Sequence, residues 1–227
     1  MELSQNKFFT LFGEKIHLKQ LRIFFWFIAV LLGAIHAWAA ASVHAMNEDG
    51  ISYLDMGDAY LRGDWSMAIN TVWSPLYSWI LGLAMYILKP AIRWEFPVVH
   101  MVNFLIYLST LVCFDFFWRQ VMNSRQAISP GSSENDVVAL PEWALLALGY
   151  TLFIWSSLNL INIWTVTPDM CLAAFLYLAA GLILLIRNES ATWPTYALLG
   201  LILGLTYLTK AAMFPLAFVF LIIAFSN

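Results

Sequence analysis

The sequence predicts an all-α, polytopic membrane helix bundle, and three observations carry that prediction. Of 227 residues, 62% are hydrophobic and 16% aromatic. Only 11% are charged, under half of the roughly 25% usual in soluble domains. Mean hydropathy is +0.76, which excludes a disordered or collagen-like chain. The formal charge of −3 offers nucleic acid no electrostatic footing, so no nucleic-acid partner is expected. Cys113 and Cys171 both lie inside apolar runs, which argues against a disulfide framework and for ordinary packing.

Charge-poor windows set the elements, because a helix needs about 20 apolar residues to cross a hydrocarbon core of roughly 30 Å. They run over 23–43, 65–88, 96–114, 143–168, 170–186 and 190–227, the last interrupted by Lys210 and divided into two helices near Lys210 to Pro215. Lys7, Lys15, Lys19 and Arg22 precede the first window. Its length fits a retained anchor better than the short apolar core of a cleaved signal peptide. The window at 65–88 decides topology. It carries Asn70, Ser74 and Pro75 in its first half, leaving too short an apolar stretch for a comfortable span. If it lies on the surface or dips in, seven of the eleven basic residues fall on the N-terminal side, in agreement with the positive-inside rule. The expected arrangement is a cytoplasmic N-terminus at 1–22, an external first loop at 44–96 carrying juxtamembrane helices, and about six transmembrane helices within 23–227. A polar linker at 123–140 is cytoplasmic, and the module is expected to be incomplete at its C-terminus.

The chemistry-bearing residues concentrate in the first loop, where Glu48, Asp49, Asp55, Asp58, Asp64 and Glu95 face Arg62, Lys89 and Arg93. Between 51 and 62 the pattern is helical: Ile51, Leu54 and Leu61 supply an apolar side, with Asp55, Asp58 and Arg62 on the other, as in a helix lying at the interface. The simplest reading of Asp55, Asp58 and Asp64 is a solvated face. Asp49 precedes Gly50 at the start of this helix, as either a cap or a reactive acid. Asp169 follows Thr165-Val166-Thr167-Pro168; Thr167 as cap and Pro168 in the first turn explain it structurally, but a carboxylate at a membrane boundary is also a functional-site candidate. Lys210, the one charge after Glu189, is either a snorkelling side chain or the partner of an anion. His36 and His44 read as packing or interfacial residues, Gly200 and Gly204 as a small-residue helix contact, and Trp65, Trp73, Tyr77, Trp79 and Trp94 as an interfacial belt.

Three ordered motifs resemble GT-C membrane glycosyltransferases, specifically the bacterial relatives of protein O-mannosyltransferases and aminoarabinose transferases. They are Asn47-Glu48-Asp49-Gly50-Ile51-Ser52-Tyr53-Leu54 with Gly63-Asp64-Trp65 and Trp73-Ser74-Pro75-Leu76-Tyr77; Thr167-Pro168-Asp169; and Gly200 to Lys210. The resemblance spans about residues 20 to 220. It implies an inverting enzyme of the bacterial plasma membrane that moves a sugar from a polyprenyl-phosphate donor to an acceptor at the outer face. Asp49 would be the general base, Asp169 would orient the acceptor or help hold a divalent cation, and Lys210 would pair with the departing lipid phosphate. Arg62, Asp58 and Tyr77 complete the expected substrate-binding set. No Asp-x-Asp motif for a nucleotide sugar is present, and whether a divalent cation takes part stays open. The rival readings are a transporter or channel subunit with Asp169 and Lys210 along its path, and an inactive scaffold.

Overall fold

The structure is a computed structural model that describes residues 18–69, 71–128, 140–188 and 192–225. Lys7, Lys15 and residues 129–139 of the predicted linker lie outside the described residues, and the linker begins later than expected, because residues 123–128 still belong to the helix Glu95–Ile128. The elements in order are α1 (Leu18–Val43), α2 (Glu48–Arg62), the single turn α3 (Trp65–Ala68), α4 (Pro75–Leu88), a 3-10 turn (Ile92–Trp94), α5 (Glu95–Ile128), α6 (Glu142–Trp155) and a π-helical turn (Ser156–Ile161). Then follow α7 (Asp169–Arg187), α8 (Trp193–Thr209), a 3-10 turn (Ala211–Met213) and α9 (Phe214–Phe225). No strand occurs among the described residues, so the all-α expectation holds.

Among the described residues four helices are long and apolar enough to cross a membrane: Leu18–Val43, Ile92–Arg125, Glu142–Ile161 and Asp169–Arg187. By that measure the chain is an integral membrane protein. Trp193–Thr209 and Ala211–Phe225 are apolar but shorter. Helix α1 shows how such a bundle packs in lipid. Its buried stripe is small, Ala29, Gly33, Ala37 and Ala40, while Phe24, Phe27, Leu31, Ile35 and Trp38 point outward. Small residues inside let backbones approach, and large apolar ones outside meet acyl chains at no hydrophobic cost.

Side-chain pairings fix the helix directions. Arg22 lies beside Asp115 and the Tyr107 hydroxyl donates to the Ala29 carbonyl at 2.9 Å, so α1 and α5 are antiparallel. Thr110 donates to Met170 O at 3.1 Å and Asn188 to Ser124 at 2.9 Å, so α5 and α7 are parallel. Lys210 meets Asp169, so α7 and α8 are antiparallel. The end of α1 and the start of α5 therefore lie at the same end of the bundle, and the stretch between them begins and finishes there. Within it α4, with 14 residues, is only about 21 Å long, short of the roughly 30 Å of hydrocarbon.

Helices α2 and α4 pack against each other through glycine. A Cβ on Gly57 would lie 2.7 Å from the Ser78 carbonyl oxygen, and one on Gly82 2.8 Å from that of Gly57. This contact corrects the expected faces of α2. Its buried side is Gly50, Tyr53, Met56, Gly57 and Ala59, whereas Ile51 and Leu61 are exposed, because close backbone approach selects the glycine stripe over the larger apolar residues. Gly200 and Gly204 behave in the opposite way: a Cβ at either meets open space, so they form no helix contact among the described residues.

Candidate functional site

The carriers of the site are two helix starts and one helix end. Asn47 is the N-cap position of α2, which leaves Asp49 in the first turn rather than as the cap, where the helix dipole favours a carboxylate. The Asn47 side chain is committed elsewhere. Its Oδ1 accepts from Val166 N at 2.9 Å and its Nδ2 donates to Val166 O at 3.3 Å, a two-bond clamp across 119 residues of sequence. Gly50 makes the clamp possible, since a Cβ there would sit 2.6 Å from Val166 Cβ. The clamped strand-like stretch leads through Pro168, the N-cap position of α7, to Asp169 as the first helical residue. Thr167 is therefore not the cap.

Helix α8 ends at Lys210, whose backbone is extended (φ −148°, ψ 114°) before the next turn begins. That break aims the side chain at α7. Lys210 Nζ donates to Asp169 Oδ1 at 2.5 Å, with both side chains more than a third exposed. Ala211 N, just beyond, donates to Ser74 Oγ at 2.9 Å, which ties the end of α8 to the residue preceding Pro75. The three motifs, spread from Asn47 to Lys210 along the chain, thus converge at one end of the bundle.

Tyr53 sits beneath the convergence. It is 3% exposed, and burial, then the carboxylates of Asp49 and Asp169, push its phenol up to about 12. Its ring packs edge-on against Trp73 at 5.1 Å and Tyr77 at 5.2 Å. Asp49 itself is exposed and forms no ion pair among the described residues.

The remaining expected residues separate from this cluster. Tyr77 is fully buried and donates to Asn103 Oδ1 at 2.5 Å, while Asn103 reaches Ile163 O at 3.5 Å; Tyr77 supports the floor under Tyr53. Asp58 and Arg62 pair with each other at 2.7 Å, both exposed. Asp58 lies nine residues beyond Asp49, about 13 Å along the axis and on the opposite face. With Asp55, Lys89 and Glu95 it lines a separate cleft of about 290 Å³. Asp64 caps the short α3. It accepts from Ser66 Oγ at 2.7 Å and Met67 N at 3.3 Å, and these bonds hold its carboxyl below the usual range. Among the described residues no group of three or more His, Cys, Asp or Glu side chains gathers as a metal centre. Asp169 spends one carboxylate oxygen on Lys210.

A second polar cluster escaped the sequence reading. Asp115, 6% exposed in the middle of α5, pairs with Arg119 at 2.6 Å and Arg22 at 3.5 Å and accepts the hydroxyl of Tyr150. Trp26 Nε1 in turn donates to Tyr150 at 3.1 Å. The i, i+4 spacing of Asp115 and Arg119 is the one signal of it in the sequence, and it falls just past the apolar window at 96–114. No family model, curated protein or solved structure matches the chain.

Proposed function

We propose that this chain is the membrane module of a GT-C-type glycosyltransferase, taking a sugar from a polyprenyl phosphate and passing it to an acceptor at the outer membrane face. What supports this reading is that the Asn47–Val166 clamp joins the start of α2, which carries Asp49 in its first turn, to the stretch that leads to the Asp169–Lys210 pair, since inverting transfer from a lipid phosphate needs a base and a cation on opposite sides of one carbon. In that scheme Asp49 takes the proton of the acceptor hydroxyl or amine as its oxygen or nitrogen bonds to the anomeric carbon. The bond from that carbon to the phosphate oxygen breaks, and the lipid phosphate departs with both electrons. Lys210 balances the anion as it forms.

Lys210 is held by Asp169. An arriving phosphate exchanges its own oxygen for that carboxylate, and Asp169 is released to orient the acceptor. The N-terminal side, rich in Lys and Arg, is cytoplasmic in this scheme, which sets the site at the outer face. The test is binding of polyprenyl phosphate to the purified Lys210→Met variant, which keeps side-chain length and apolar stem. A charge-assisted contact is worth roughly 1.5 to 3 kcal/mol, about ten- to a hundredfold in affinity. Lys210→Arg should retain most of the binding. Unchanged affinity in Lys210→Met would return this side chain to the role of a snorkelling residue and remove the cation from the mechanism.

A further inference from the structure

On the flank of the bundle formed by α1 and α6, a crevice divides into a polar and an apolar part. The polar part is lined by His36, Leu158, Asn159, Asn162 and Trp164, with a volume of about 420 Å³. The apolar part, about 380 Å³, shares His36, Leu158 and Asn159 and continues along Leu32, Thr151 and Ile154. Neither part is lined by an Asp, Glu, Lys or Arg side chain. Because α1 runs from Arg22 toward Val43, the polar part lies nearer the Val43 end and the apolar part runs toward the middle of the span.

Local backbone chemistry builds the polar part. The helix of α6 loosens into the π turn, marked by the bond from Asn162 N to Ser157 O at 3.2 Å, and π turns concentrate at functional sites. Asn162 then takes φ +66°, an uncommon conformation that Asn tolerates better than most residues. Its Oδ1 accepts from Trp164 N at 3.0 Å, and Asn159 Nδ2 donates to Trp155 O at 3.1 Å. His36 Nδ1 is buried and has no hydrogen-bond partner, although a buried polar atom normally has one.

We propose that this crevice holds one diacyl phospholipid, its glycerol and phosphate region hydrogen-bonded by His36 and Asn159 and one acyl chain lying along Leu32, Thr151 and Ile154. The match is amphipathic: hydrogen-bonding groups toward the membrane face and apolar ones toward its middle, on a helix flank that lipid already surrounds. Without an Asp, Glu, Lys or Arg in its lining, the crevice selects for shape and hydrogen bonding, not for net headgroup charge. Its occupant also braces the chemistry, because Asn162 opens the stretch that Asn47 clamps at Val166 and that ends at Asp169.

The experiment is native mass spectrometry of the protein released from nanodiscs of phosphatidylcholine and phosphatidylglycerol in a 3:1 ratio. Wild type should keep one lipid, drawn from the two headgroups in proportion to their supply. Thr151→Phe fills the apolar part from an exposed position, so it should lose that lipid while its melting temperature in detergent is unchanged. Asn159→Leu should lower retention about tenfold, the loss expected for one hydrogen bond of roughly 1.4 kcal/mol. Equal retention by wild type and both variants would overturn the proposal. So would a tenfold preference for phosphatidylglycerol, which would move the lipid to the arginines at the other end, or release of a dimer with no lipid attached.

Discussion

Two ionic clusters occupy different ends of the same bundle, and their contrast separates structure from chemistry. Around Asp115 every partner is supplied by the protein: two arginines, a tyrosine hydroxyl and, behind it, an indole. Three helices, α1, α5 and α6, each contribute, and the carboxylate is nearly sealed. Around Asp169 there is one partner, Lys210, and more than a third of each side chain is open, while Asp49 nearby has no ion pair among the described residues. A buried charge with all its partners is costly to disturb and has nothing left to offer a ligand. A half-exposed pair with an unpaired acid beside it can exchange partners at little cost, and that freedom is what a substrate needs.

The largest expected effect comes from breaking the sealed cluster. Asp115→Ala leaves Arg22 without its counter-ion inside the bundle and should cost about 3 to 5 kcal/mol, read as a fall in thermal unfolding temperature in detergent. Asp115→Asn still accepts from Tyr150 and should lose less. A loss under 1 kcal/mol in Asp115→Ala would erase the distinction between the two ends. Next in size is Asp49→Asn, which keeps shape but cannot take a proton at neutral pH. Under the proposed function, glycosyl transfer should fall about 100-fold or more with folding unchanged, and near-normal turnover would show that the unpaired acid is idle.

Tyr53 tests whether the two acids of the open cluster share one space. Its phenol is raised to about 12 from an unfolded value near 10. The folded state therefore keeps its proton longer than the unfolded one, and Tyr53 lends full support below about pH 10 that is lost as pH climbs through about 12. The stability difference between wild type and Tyr53→Phe should accordingly be flat up to about pH 10 and narrow above it; Asp49→Asn should weaken the effect. A pH dependence that Asp49→Asn leaves unchanged would place Tyr53 away from that carboxylate, burial alone then raising the phenol. The smallest effect is expected for Asp169→Asn, because an exposed ion pair is worth at most about 1 kcal/mol. Its unfolding temperature should stay close to wild type, while its affinity for polyprenyl phosphate holds or rises as Lys210 is freed.

Much of the molecule was legible in the chain, and the particular failures share one cause. Composition and charge-poor windows were sufficient for the all-α membrane bundle and for α1, α5, α6 and α7, because spanning lipid imposes length and apolarity on the sequence itself. Asp49, Asp169 and Lys210 stood out as charges at the edges of apolar runs. The buried face of α2 did not, since Gly50 and Gly57 are chosen by the proximity of Val166 and Gly82 and carry no hydrophobic signal of their own. Gly200 and Gly204 carried such a signal by spacing, and no partner helix arrives to use it. Asp115 falls just outside the apolar window at 96–114 and had no reading of its own; α1 and α6 bring Arg22 and Tyr150 to it.

What the sequence determined alone was therefore everything set by the exchange between a residue and its solvent, water or hydrocarbon, since that free energy depends on the side chain's own chemistry. Only the tertiary structure decided which charges meet. The Asn47–Val166 clamp, the Lys210–Asp169 pair and the Asp115 cluster each join residues from distant parts of the chain. Such contacts depend on helix direction and register, which arise from packing summed over whole helices and are written in no single stretch of the chain.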